Sequence, residues 1–217
     1  MTARLLRDDD AGRAEAIQLL RDGGIVAIPT DTVYGIGVDL AAPDGIARLF
    51  AAKRRPPERA ITLLIADAGQ AQALAEWPPA ADALAGRFWP GGLTLVLRQR
   101  AGVRLPPELT GGARTIGLRL PDHACPRALA AALGPMPVTS ANVSGLPEAR
   151  DAAEIVEQLG EVIDGIVDGG PASGGPASTV VDCAETTVRV LRVGAIPEQE
   201  IAACLLEAGL PAPAPAG

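Results

Sequence analysis

Apolar residues at helical spacing run through 11–22 (AGRAEAIQLLRD), and the run stops at Gly23-Gly24. A glycine pair ends a helix because glycine takes the left-handed cap conformation without a steric cost. Residues 24–29 (GIVAIP) are then continuously apolar and too few for a helix, which predicts a buried strand. A second strand is expected near 33–40. Pro43-Asp44 is expected to open a helix through about residue 52, with proline at an early helical position. Residues 61–66 (ITLLIA) predict another buried strand, and helical patterns follow near 67–75 and 79–88. Further strands are predicted at 93–98, 115–120, 136–139, 162–167, 178–182 and 188–193, with helices at 124–133, 151–159 and 197–208. Alternating strands and helices specify an α/β protein (α+β by some schemes), a sheet with helices packed on it. Some links are too short for a helical crossover, so the sheet is predicted to be mixed.

The length of 217 residues suits one domain, placed here at 1–208. The Pro/Ala-rich tail, 209–217, is expected to be disordered or extended. Aromatic residues make up 2% of the chain against 48% hydrophobic, so the core must be built from Ala, Val, Ile and Leu. The net charge of −7 argues against broad binding of nucleic acid, which needs basic surface, but leaves room for a local basic pocket. The three cysteines are far apart and odd in number, with no Cys/His cluster, so neither zinc nor a disulfide framework is indicated. A reducing cytoplasm fits this usage. The N-terminus lacks an apolar signal region, and no run of about 18 apolar residues predicts a membrane span.

Arginine takes 18 of the 19 basic positions; the chain has one lysine, one asparagine and one tyrosine. Each singleton falls in a short polar segment. Tyr34 lies in Pro29-Thr30-Asp31-Thr32-Val33-Tyr34-Gly35, a loop after a strand, where ligand clefts of α/β proteins form; a capped turn is the other reading. Lys53 begins Lys53-Arg54-Arg55-Pro56-Pro57-Glu58-Arg59. Four cations there read either as a helix C-terminus complemented by charge or as a phosphate clamp. Asn142 lies in Thr139-Ser140-Ala141-Asn142-Val143-Ser144-Gly145. Ser140 and Asn142, two apart, would face one ligand if strand geometry continued, and an ordinary Ser/Asn turn is the alternative. The glycine-rich segment 169–179 lacks the spacing of a phosphate-binding loop and reads as a connector. The lone His123 reads as a loop histidine, and no Ser/His/Asp triad follows from spacing.

In order, PTDTVYG, a K-x-R-P loop, R-x-P-x-H (Arg119 to His123), S-x-N followed by S-G, S-T-V-V-D and L-R-x-G-A-I (Leu191 to Ile196) resemble the YrdC/Sua5 family over about residues 10–200. The resemblance implies a YrdC/RibB-like fold: a twisted mixed sheet flanked by helices, with a concave basic cavity. It implies synthesis of threonylcarbamoyl-AMP from L-threonine, bicarbonate or CO2, and ATP carrying Mg2+. The product feeds the t6A modification at position 37 of ANN-decoding tRNAs, and other proteins of that pathway are possible partners. By motif position, Lys53 and Arg55 match catalytic phosphate-binding groups. Arg59, Thr115, Ser140, Asn142 and Arg192 match further ATP contacts, and Thr32, Arg119, Val138 and Ser178 match the L-threonine site. No protein metal ligands are implied. An RNA-binding or ribosome-maturation module of the same fold is the alternative, against which the acidic balance and the scarcity of aromatic residues count. Two departures stand out. Ala60-Ile61 and Leu64 occupy the places of a Pro-Leu and a histidine found in some members. The sequence also stops at residue 217, so the extra C-terminal domain of the longer Sua5 proteins is not expected.

Overall fold

The computed structural model describes residues 3–54, 60–172 and 175–214. Among them a ten-stranded mixed sheet runs in the order β1-β8-β2-β3-β7-β4-β6-β5-β9-β10. Its strands are β1 (Arg4–Arg7), β2 (Val26–Ile28), β3 (Gly35–Gly37), β4 (Thr62–Leu64), β5 (Leu93–Arg98), β6 (Thr115–Arg119), β7 (Met136–Ser140), β8 (Gly165–Asp168), β9 (Thr179–Asp182) and β10 (Arg189–Arg192). The neighbours β1/β8, β2/β8, β4/β6 and β5/β9 pair in parallel, and the others are antiparallel. The expected mixed sheet is therefore present, and each predicted strand has a counterpart in it. β1 was not predicted, because only Leu6 of its four residues is buried and one buried residue leaves no period to detect.

Side chains alternate between the faces of a strand, and this sheet uses its faces differently. One face carries Ala27, Ile36, Leu63, Leu95, Leu97, Ile116, Leu118 and Ile166, the main core. Onto it pack helices α2 (Gly45–Lys53), α3 (Ala68–Leu74), α4 (Pro79–Phe88), α7 (Ala152–Leu159) and α8 (Glu198–Glu207), with the short α5 (Pro107–Thr110) at one end. The other face carries Val26, Ile28, Leu64, Met136, Val138 and Val167. There α1 (Asp10–Arg21) and α6 (Ala124–Leu133) add Ala16, Leu20, Cys125 and Leu129. The rest of this second face, on β4, β5, β6 and β9, presents Thr62, Thr94, Val96, Thr115, Gly117, Arg119 and Val180 to a cavity. The alternation in LTLVLR and TIGLR thus separates a core face from a ligand face.

Local chemistry fixes where the helices begin. Asp9, Asp67 and Asp151 cap α1, α3 and α7 by accepting from Gly12, Gln70 and Glu154 N–H groups at 2.8, 3.0 and 2.9 Å. Each such cap is worth about 1 kcal/mol. The second of the early helices starts differently from the sequence expectation. Pro43 and Asp44 lie outside α2, and Asp44 takes a left-handed φ of 57° with no side-chain cap bond. In β3, Gly35 and Gly37 leave space for one neighbour: a Cβ at either would come within 2.5 or 2.8 Å of the Val138 methyls.

The tail, expected to be disordered or extended, is described as far as residue 214. Leu210 packs on the core, and the Ala214 N–H donates to the Val188 carbonyl at 2.9 Å, so that Ala214 bridges to Arg189 of β10. An edge strand offers free backbone groups, and this extended segment satisfies some of them. No helix among the described residues is long and apolar enough to cross a membrane.

Candidate active site

The cavity over the bare face has a volume of about 340 Å3, within the range of small-molecule sites. Three polar clusters stand around it.

The first is built on Lys53. Ile46, Leu49, Phe50 and Lys53 share the buried face of α2, so the lysine is carried inward and is 1% exposed. A buried ammonium must find oxygen acceptors. It donates to the Ser140 carbonyl, to Asn142 Oδ1 at 3.0 Å and to Ser140 Oγ at 3.4 Å. Ser140 Oγ in turn donates to Asn142 Oδ1 at 2.7 Å, and the Asn142 amide donates to the Leu146 carbonyl at 2.7 Å. Ser140 and Asn142 therefore do meet, though not by continued strand geometry. β7 ends at Ser140, and a turn closed by Asn142 N–H to the Ser140 carbonyl (3.0 Å) brings them together. Ser140 lines the cavity, and Lys53 and Asn142 back it. Arg55 and Arg59 lie outside the described residues.

The second cluster surrounds Arg119, the last residue of β6, which is 6% exposed. Its Nε donates to the Gly91 carbonyl at 3.1 Å, Nη1 to Thr32 Oγ1 at 2.9 Å and Nη2 to Asp31 Oδ1 at 2.7 Å. Burial pushes this guanidinium below its usual pKa, Asp31 opposes the shift, and Arg192 across the cavity pushes in the same direction as burial. Thr32, expected to offer its hydroxyl to L-threonine, sits behind the arginine. The Thr30 hydroxyl donates to the Val33 carbonyl at 2.7 Å, so in the 3.1 Å contact between the two threonines Thr32 is the donor. Its hydroxyl thus donates to Thr30 and accepts from Arg119, which leaves one lone pair for a further donor.

The third cluster joins Arg192, Ser178 and Thr94. Arg192 Nη2 donates to the Ser178 carbonyl at 2.8 Å and to Ser178 Oγ at 3.2 Å, and Ser178 Oγ lies 2.8 Å from Thr94 Oγ1. Thr115 and Val138 line the floor. Leu64, where some relatives of the resembling family carry a histidine, lines the same cavity with Ala60 and Ile61, making that part of the wall apolar.

Thr94 and Asp31 were missed as site residues, although a polar residue recurring on one face of an apolar strand was a usable signal for Thr94. Tyr34, singled out but given no role, is fully buried and ties the site to the glycine-rich segment. Its hydroxyl donates to the Gly170 carbonyl at 2.6 Å and accepts from Gly169 N–H at 3.1 Å. Burial raises its pKa, which keeps the proton available for donation. Tyr34→Phe is expected to cost about 1 kcal/mol, because the part-buried hydrogen bonds to Gly169 and Gly170 are lost; urea unfolding measures this, and unchanged stability would refute it. His123 caps α6, with Nδ1 accepting from Cys125 N–H at 3.2 Å. All three thiols are buried, and burial pushes that of Cys183 up to about 12.

A bare, hydroxyl-rich sheet face between buried cations defines a pocket for a small ligand with separated anionic groups. The chain belongs to the Sua5/YciO/YrdC family, whose model, described as telomere recombination, matches residues 18–194. It is 39% identical over 202 residues to the threonylcarbamoyl-AMP synthase of Bacillus subtilis, an alignment covering 92% of this chain and 58% of that protein. It is 38% identical to a putative threonylcarbamoyl-AMP synthase of Mycobacterium leprae, covering 89% of this chain and 88% of the other. The structure of Pyrococcus abyssi Sua5 complexed with L-threonine superposes with a TM-score of 0.87 at 35% identity, over 94% of this chain and 61% of that one. The chain thus spans under two thirds of the length of the B. subtilis and P. abyssi proteins.

Proposed function

We propose that this chain is an enzyme that makes L-threonylcarbamoyladenylate from L-threonine, bicarbonate or CO2, and ATP, releasing pyrophosphate. In this reading it is a nucleotidyltransferase that works in the cytoplasm and supplies t6A modification of ANN-decoding tRNAs. The observation that carries it is one cavity with a buried arginine at one corner and a lysine-backed Ser140/Asn142 pair at another. The relatives' names and the threonine complex of P. abyssi Sua5 support the choice of substrates.

The steps follow from the chemistry of the parts. The carboxylate of L-threonine pairs with Arg119, which Asp31, Thr32 and Gly91 hold in place. The free amine attacks the carbon of CO2, forming an N–C bond, and a proton leaves to solvent. One oxygen of the resulting carbamate attacks the α-phosphorus of ATP. The bond from that phosphorus to the bridging oxygen breaks, and pyrophosphate departs with the electron pair. No residue need bond covalently to substrate; the protein positions two anions and compensates charge on the phosphates. Lys53, Ser140 and Asn142 serve the phosphates, as Arg55 and Arg59 are expected to do, while Thr115 and Arg192 serve the nucleotide. Ser178 and Val138 border L-threonine. Among the described residues, the carboxylates near the cavity are Glu148 on its lining and Asp31, already engaged by a guanidinium. Mg2+ would be carried by the triphosphate and would neutralise phosphate charge there.

The test is pyrophosphate release from ATP and Mg2+ with L-threonine and bicarbonate each added or omitted. Release that requires both is the expected result, and ATP turnover indifferent to threonine would overturn the reading.

A further inference from the structure

Gly117 sits in the middle of the cavity floor, and nothing in the fold explains why it is glycine. It lies inside β6, where glycine weakens a strand. Its φ is not in the left-handed range that glycine alone tolerates. A Cβ built there meets Thr62 Oγ1 and Thr94 Cγ2 at 3.6 Å and Thr62 Cα at 3.8 Å, ordinary contact distances. Compare Gly35, where the same atom would collide with Val138 at 2.5 Å. The remaining reason for a bare backbone in a strand is the close approach of something that is not protein.

The register says what approaches. Gly117 pairs with Thr62 of β4 on one side and Val96 of β5 on the other, and Thr62 pairs with Val138 of β7. Arg119 is two residues along β6 in one direction and Thr115 two in the other, each about 6.5 Å away along the strand. Ser140, which Lys53 backs, is likewise two residues beyond Val138 on β7. The row through Gly117 therefore runs between the Arg119 corner and the side of the floor that holds Thr115 and Ser140.

We infer that Gly117 is the steric determinant of the junction between the two substrates, the place where the carbamate end of one meets the α-phosphate of the other. The inference rests on the functional reading above. A side chain at this point lifts the ligands off the floor and holds their reacting atoms apart, while each anionic end keeps its own cationic corner. Attack needs those atoms within about 3–3.5 Å, and misplacement by about 1 Å costs on the order of 10²-fold in rate.

The variants are Gly117→Ala and Gly117→Val, compared with the unsubstituted protein. Binding of L-threonine is measured by calorimetry with and without saturating α,β-methylene-ATP and Mg2+, in bicarbonate-free buffer. Thermal unfolding and pyrophosphate release from ATP accompany it. Both variants should melt at or above the midpoint of the unsubstituted protein. Each ligand alone should bind within about 3-fold of normal. In Gly117→Val, threonine should bind at least about 10-fold more weakly when the ATP analogue is present, and the maximal rate should fall on the order of 10²-fold. The alanine variant should show the same pattern with a smaller loss.

Normal joint binding and turnover in the valine variant would overturn the inference and leave the functional reading intact. Loss of one ligand alone would also overturn it, by placing Gly117 inside a single subsite. Should the valine variant fail to fold, the alanine variant decides by the same criteria. If L-threonine does not bind the unsubstituted protein, the functional reading fails and the inference with it.

Discussion

Lys53→Ala is expected to reduce threonine-dependent pyrophosphate release by roughly 10²-fold or more. The lysine ends α2 on its buried face and delivers an ammonium to the carbonyl of Ser140 and to Asn142 Oδ1 at 3.0 Å. Ser140 lines the cavity, so the charge stands directly behind a residue of the cavity wall. In so dry a position a fixed cation acts on developing phosphate charge with little screening by water. The same substitution also removes a donor from buried oxygens, at about 1–3 kcal/mol of stability. The two effects separate experimentally: a thermal midpoint lowered modestly, with a rate lost at temperatures where the variant is folded. Lys53→Arg should not restore the rate, because a planar guanidinium does not fit acceptors arranged around a compact ammonium. Near-normal turnover in Lys53→Ala would remove the phosphate role from this cluster.

The singleton residues show how much of this was legible beforehand. The single lysine of the chain reaches Ser140 across 87 residues of sequence and the single asparagine across 89. Composition marked both, but no spacing rule could pair them, since the contact is made by β7 lying beside β4 and β3 in a mixed sheet. The strands themselves were readable because apolar runs and alternation are local properties. Which face would stay bare was not local. Thr94, Thr115 and Gly117 look like ordinary interruptions until β4, β6 and β5 are placed side by side and α1 and α6 are seen to cover only the other end of that face. Thr32 belongs to the same neighbourhood, its hydroxyl donating to Thr30 and accepting from Arg119. Motif order located these residues, and the hydrogen bonds that join them were not legible in it.

Arg119 carries the second large expected effect, and it should appear in threonine dependence rather than in ATP dependence. Three of its N–H groups are fixed on Gly91, Thr32 and Asp31, which leaves the guanidinium immobile and oriented before ligand arrives. A pre-positioned cation loses little entropy on binding a carboxylate. Arg192, which faces the same cavity, makes the charged state of Arg119 less favourable, and an anion between the two relieves that repulsion. Truncating one partner of a buried, hydrogen-bonded charge pair costs about 2–5 kcal/mol, so Arg119→Ala should raise the threonine concentration for half-maximal rate by at least about 30-fold. Arg119→Lys keeps the charge but loses the fork that engages Thr32 and Asp31 together, so it should recover only part of this loss. The ATP requirement should change by less than about 3-fold in both variants, since in this reading the phosphates are held at the Lys53 corner, on the far side of Gly117. Calorimetric binding of L-threonine to the two variants checks the assignment without relying on turnover. Threonine affinity unchanged in Arg119→Ala would place the carboxylate elsewhere, with Arg192 as the next cation to test.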